Sequence, residues 1–175
     1  MIQQIANLIA RYKYKCLCRK YFYLYNKQAF GKAYDVLKEA VELQNLHNKG
    51  FTYVTYAELE LLVYDDIKKA RELLDEAFYA LGYDFNDSDY SLYGTVLYRA
   101  GEHEKGLGYL EKSVEMNPSI HNLKKYANIL SYAHDKRAEE IWERILEESN
   151  FDLDIYIFIW QKRPLRQVKK KKHLH

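Results

Sequence analysis

Apolar residues recur at steps of three and four along most of this chain, the spacing that lines one face of an α-helix. Ile67, Ala70, Leu73, Leu74, Ala77, Phe78 and Leu81 show it most clearly. Followed from end to end, the pattern predicts helices over roughly 2–25 (one helix or two), 30–46, 51–63, 67–81, 88–100, 104–116, 120–133, 136–149 and 152–163. Two prolines and seven glycines leave these stretches unbroken, which favours an all-α chain over a loop-rich β fold. Asp65, Asp87 or Ser88, and Asp152 stand where a helix start wants a capping oxygen.

The helices also repeat. Residues 87–118 read DSDYSLYGTVLYRAGEHEKGLGYLEKSVEMNP. Gly94 and Gly106 are placed to let two antiparallel helices approach closely, with Tyr90, Leu97 and Leu110 filling the space around that contact. Gly101 permits the reversal between the helices, and Pro118 after Asn117 ends the second one. The segments Ala33–Leu37–Ala40, Ala70–Leu74–Ala77 and Ala138–Trp142–Ile145 echo its second half. With Ala33, Ala70, Gly106 and Ala138 taken as equivalents, the intervals are 37, 36 and 32 residues.

On these residues the chain resembles the tetratricopeptide repeat family, whose period is about 34. Tyr90, the Tyr93-Gly94 pair, Leu97, Gly101, Gly106, Leu110 and Pro118 match the family motif, with tyrosine at 93 for leucine and glycine at 106 for alanine. The likeness spans about residues 12–150, in one full unit and three looser ones. In the looser units Glu58, beside Ala57, and Tyr21 fall where a small residue belongs, and the turn at His134–Asp135 is a residue short. The resemblance implies a right-handed α-solenoid of about four helical hairpins. The last predicted helix, with Phe151, Leu153, Ile155, Ile157, Phe158 and Trp160, would cap its end or dock on a partner.

The resemblance also implies a concave groove lined by the first helix of each unit, open to an extended peptide or a helix. Ser91, Thr95, Tyr98 and Arg99 of the third unit and Lys124 and Asn128 of the fourth would line it. Lys124 and Asn128 lie one turn apart and match part of the family's carboxylate clamp; Ser91 and Thr95 stand where the remaining clamp residues would be needed.

Charge alters this picture at the ends. Residues 1–34 carry seven basic residues and no acid, and so do residues 161–175, leaving 13 basic and 25 acidic residues in the centre. Such segregation suits contact with an anionic surface, membrane lipid or nucleic acid, or simply a solvated tail. One helical domain is expected over 1–163, with a basic helical segment at 1–25 and a flexible basic tail at 164–175.

Candidate chemistry adds little. Cys16 and Cys18 are too close along a helix to pair and have no histidine nearby, so free thiols in a reducing, cytoplasmic setting are expected. Tyrosine, at 18 copies, is the compositional outlier, and suits helices that pack broadly yet keep a wet edge. His103 falls at a packing position between helices. The carboxylates Glu139, Glu140, Glu143, Glu147 and Glu148 share a helix with Lys136, Arg137 and Arg144 as solvated pairs. No catalytic, cofactor or metal motif and no small-molecule site is read from the sequence, and a protein-binding adaptor, scaffold or chaperone-like module is expected; an anionic-surface module or a structural subunit is the alternative.

Overall fold

The computed structural model describes residues 2–43 and 49–149. Eight α-helices follow one another there: α1 (Ile2–Asn26), α2 (Phe30–Glu42), α3 (Lys49–Leu59), α4 (Ile67–Asp75), α5 (Asp87–Arg99), α6 (His103–Met116), α7 (Ile120–Tyr132) and α8 (Arg137–Glu148). α3 and α4 each run on into a five-residue π-helical turn, Glu60–Tyr64 and Glu76–Ala80. Among the described residues there is no strand. The expected final helix over 152–163 and the tail over 164–175 lie outside the described residues.

Short turns join the helices into four hairpins, α1/α2, α3/α4, α5/α6 and α7/α8, and each helix packs on the next in sequence. Successive stacking of this kind makes a solenoid, in which each unit buries its apolar face against its neighbours. The small residues expected at the crossings are all buried: Ala33, Ala70 and Ala77 completely, Ala138 nearly so. In the second unit it is Ala57, not its neighbour Glu58, that closes the contact.

The closest crossing is between α5 and α6. A Cβ built on Gly94 would stand 2.7 Å from the Gly106 carbonyl oxygen; one on Gly106 would stand 2.6 Å from the Tyr98 nitrogen and 2.7 Å from the Gly94 carbonyl oxygen. The glycine at 106 therefore has a cause in the packing: backbone meets backbone, and even alanine has no room. Leu110 packs over the same crossing, 2.8 Å from the position a Gly94 Cβ would take.

The uneven repeat spacing is also explained locally. Gly101 turns the chain with φ at 92°, seven residues after Gly94. Its counterpart Asp65, with φ at 54°, comes eight residues after Ala57, because the π-helical turn at Glu60–Tyr64 takes up one extra residue. In the fourth unit His134 adopts the same left-handed turn, and Ala138 follows Asp135 through a tight i→i+3 bond of 3.1 Å, which is where that unit is a residue shorter.

Three sequence expectations shift. Residues 2–26 form one helix, and α2 stops at Glu42. Asp65 does not cap α4; its left-handed backbone places it in the turn, and Asp66 accepts from the Lys69 amide at 2.9 Å. Nor does Asp87 or Ser88 cap α5, since Asn86 does, in a reciprocal capping box with Asp89. Asp87 instead accepts from Asn122 Nδ2 at 2.7 Å and Asn117 Nδ2 at 3.0 Å, tying the start of α5 to the start of α7. These bonds hold its carboxyl below the usual range.

Tyrosines fill much of the space between units two and three. Phe78, Phe85, Tyr90, Tyr93 and Tyr109 form one ring cluster, with Tyr109 stacked on Tyr93 at 5.1 Å and on Tyr90 at 5.6 Å. Their hydroxyls find partners: Tyr93 donates to Asp75, and Lys112 donates to Tyr90. Between units one and two, Tyr56 donates to Tyr34, which donates to the buried Glu60 at 2.8 Å. Burial pushes the Tyr14 and Tyr109 phenols up to about 12, and raises those of Tyr21, Tyr34 and Tyr93 as well.

Two predictions follow from this packing. Gly94→Ala and Gly106→Ala should each cost about 1–3 kcal/mol by overpacking, while Gly108→Ala, with open space around it, should be neutral or stabilising by up to about 1 kcal/mol. Urea melts of the three variants decide it; equal behaviour of all three would remove the close crossing. The raised phenols fix the second sign: their folded values exceed the unfolded value of about 10, so their stabilisation is whole below that pH and is lost as pH rises through the folded values. The melting temperature should fall steeply above about pH 10, with the late phenolate absorbance appearing together with loss of helix. Full tyrosine ionisation with helix content intact would contradict it.

Candidate interaction groove

The first helices of the hairpins are linked from α1 to α3 and from α5 to α7. Hydrogen bonds between them fix their relation: Tyr14 of α1 is 2.7 Å from Thr52 Oγ1 of α3, and Tyr25 of α1 donates to Glu58 of α3 at 3.2 Å. Asn122 and Asp87 join α7 to α5.

Glu58 is the electrostatic centre of these helices. Its charge acts on Tyr21 and Tyr25 of α1, on Asp89 of α5 and on His121 and Lys125 of α7. Glu58 therefore acts on groups of three other helices. Desolvation lowers the Lys125 ammonium, with Glu58 opposing the shift. Desolvation also lowers His121, helped by Lys125 and Lys124 and opposed by Glu58 and Asp87. The Glu58 carboxylate thus acts on His121 and Lys125 of α7.

The six residues expected to line the groove have different fates. Lys124 and Asn128 sit half-buried on α7, one turn apart. Thr95 is half-buried and turns its hydroxyl back onto the Ser91 carbonyl at 2.8 Å. Ser91 is fully buried and offers a guest no surface, a correction that follows from the tight packing around α5. Tyr98 packs edge-on against His103 at 4.5 Å, toward α6, which is the packing role expected of His103. Arg99 reaches back to Asp65 at 2.7 Å and links the third unit to the turn of the second.

Sequence reasoning missed Glu58, His121 and Lys125. Glu58 and Lys125 lie 67 positions apart, and only the stacking of α3, α5 and α7 brings their fields together. The one available sign was Glu58 itself, a charge next to a position that demands a small residue. Exposed apolar side chains also mark these helices: Phe22 on α1, Leu62 in the π-helical turn after α3, and Tyr132 at the end of α7. Elsewhere the charged side chains pair in solvent, as Arg144 does with Glu148 at 2.7 Å on α8.

No family model matches the chain. It is 27% identical over 137 residues to the Photosystem I assembly protein Ycf3 of Acaryochloris marina (strain MBIC 11017), an alignment covering 77% of this chain and 80% of that one. Its fold superposes on MamA, residues 41 to the end, from Desulfovibrio magneticus RS-1 with a TM-score of 0.61 at 21% identity, covering 78% of this chain and 76% of that one. YrrB, described as a TPR protein with an unusual peptide-binding site, superposes with a TM-score of 0.58 at 17% identity, over 82% of this chain and 75% of its own. In fold, the chain belongs with the tetratricopeptide-repeat solenoids.

Proposed function

We propose that this chain is a non-enzymatic protein-binding module that holds an extended peptide or a helix of a partner along α3, α5 and α7. The observation that carries the reading is a set of groups whose charges act on one another there: the half-buried Glu58 of α3 and the half-buried Lys124 and Lys125 of α7, with the exposed His121 beside them. Charges taken partly out of water gain from a ligand that brings complementary ones. Such a guest presents an acidic residue to α7 and a basic or hydroxyl group to Glu58, with apolar contacts to Leu62 and Tyr132. Asn128, one turn from Lys124, adds a directional hydrogen-bonding amide.

The company the chain keeps supports this. YrrB carries a peptide-binding site, and Ycf3 of Acaryochloris marina is an assembly protein. A scaffold that works by holding chains together also needs no catalytic group, and the half-buried ionisable residues here are placed as ligand contacts rather than as a nucleophile with its base. Short linear ligands in such grooves bind with dissociation constants on the order of micromolar.

The direct test is selection of peptides from a random display library on the full chain, with fluorescence anisotropy of those selected. Lys124→Glu combined with Lys125→Glu should weaken the selected peptides by about tenfold or more, the loss of one good charged contact, at an unchanged melting temperature. Peptides that bind the variant as well as the parent would remove the groove from consideration. The electrostatics are checked separately by proton NMR titration of His121: Glu58→Gln should lower its pKa further, and Lys125→Gln should raise it. A His121 value unmoved by both would show that the charges do not share one space.

A further inference from the structure

The solenoid has a second surface that the groove does not use. α1 is 25 residues long, yet its buried residues are only Leu17 and Tyr21. With Ala10, Tyr14 and Leu24 partly covered, these form the stripe that faces α2 and α3. Residues 2–9 are all exposed, so the first turns of the helix stand clear of the rest of the fold.

This free part carries its own apolar stripe. Ile2, Ile5, Ile9 and Tyr12 recur at steps of three, four and three, Leu8 lies beside them, and Cys16 and Tyr23 extend the line along the helix. All are exposed; Ile2 is 87% exposed and Tyr12 71%. Gln3, Gln4, Asn7 and Arg11 occupy the opposite side of the same turns. The helix is therefore amphipathic twice over, once toward α2 and once toward solvent. Lys13, Lys15, Arg19 and Lys20 flank the outward stripe, and no acid occurs in residues 1–34. Lys13 pairs with Glu39 of α2 at 2.9 Å.

We propose that α1 is an interfacial helix that lays this outward stripe into the headgroup region of an anionic lipid bilayer. Charge selects the occupant. A second copy would set basic flank against basic flank, with no acid in the segment to relieve the repulsion. A protein groove that fixes a helix in register ordinarily uses pairs of both signs, whereas a lipid surface asks only for one sign along the whole length. Lysine and arginine stems beside an apolar stripe reach back to the headgroups while their methylenes stay with the acyl chains, and Tyr12 and Tyr23 have the apolar body and polar tip that suit this boundary. Among the described residues no helix is long and apolar enough to cross a membrane, so α1 lies on the bilayer rather than through it. The inference is independent of the groove: one surface holds a protein, the other places it at a membrane.

Sedimentation of the full chain with sucrose-loaded vesicles tests it. Phosphatidylcholine vesicles with about 30 mol% phosphatidylserine should pull the protein down at about 0.1 M salt, and vesicles of phosphatidylcholine alone should do so at least about tenfold less well. Ile5→Glu with Ile9→Glu should lower binding at least about tenfold at unchanged melting temperature, and Ile5→Leu with Ile9→Leu should leave it intact. A double-glutamate variant that still binds would assign the attraction to the lysines of residues 169–172 and overturn the proposal. So would a chain retained by heparin but not by the vesicles, which would mark a soluble polyanion or acidic protein as the occupant. An environment-sensitive dye on Cys16, in a Cys18→Ser background, should shift to the blue on the anionic vesicles. No shift would overturn the proposal even if the stripe variants failed to fold.

Discussion

Two bare backbones touching at Gly94 and Gly106 set the geometry on which the rest of this solenoid depends. Neither glycine can gain a methyl group without meeting a carbonyl oxygen or an amide of the other helix within 2.7 Å. The contact also divides the interior. Buried residues from α1 to α5 form one apolar cluster, ending at Tyr90, Tyr93, Val96 and Leu97. Leu110, α7 and α8 form a second, centred on Leu130, Trp142 and Ile145. With no side chain at the seam, α5 and α6 are held at one distance by hard contact, so the two clusters take a fixed relation. In the second and fourth hairpins alanines are buried at the equivalent positions, Ala57 and Ala70, and Ala127 and Ala138.

Tyrosine takes the place that leucine would occupy in a more regular repeat, and this changes the physics of the interior. A leucine buried between helices needs only neighbours; a buried tyrosine needs neighbours and a hydrogen-bond partner. The chain supplies carboxylates for this: Asp75 for Tyr93, Glu60 for Tyr34 and, through it, Tyr56. Each bond joins two helices, and the Tyr34–Glu60 and Tyr25–Glu58 bonds cross from one hairpin to the next. Directional contacts of this sort fix the register between units more tightly than interchangeable aliphatic packing does. The acids taken up in this way lie in the negatively charged centre of the sequence, where their excess would otherwise look like a purely solvated feature.

How much of this was legible beforehand depended on how local the cause was. Helix positions and the small residues at the crossings follow from periodicity, and α5 to α8 fall within a residue or two of expectation. The caps did not, because Asp65 and Asp66, or Asn86 and Asp87, are equally good capping side chains. The choice between them is made by backbone dihedrals, with Asp65 left-handed in the turn. The π-helical turn before it was itself invisible: an extra residue inside a helix leaves the composition unchanged and shows only as an interval that runs long. The contacts of the six residues expected in the groove were not legible. Ser91, Thr95 and Tyr98 follow one helical face correctly, yet Ser91 is covered, Thr95 bonds its own helix and Tyr98 turns to His103. Glu58 and Lys125 share a field only because three helices stack, and no spacing in the sequence encodes that.

The two π-helical turns tie these observations together. Both fall in the second hairpin, and each takes up one residue beyond a regular helix. The first begins at Glu60, which is buried and receives Tyr34, two residues after the half-buried Glu58. A regular α-helix sets residues two apart on nearly opposite sides, so one turn can aim one carboxylate at the core and the other at a guest. The extra residue lets the chain do this and still bring Asp65 round to meet Arg99 of the next hairpin. This unit also carries, one residue after Ala57, the carboxylate that acts on His121 and Lys125 of α7, where the third and fourth units have Thr95 and Asn128.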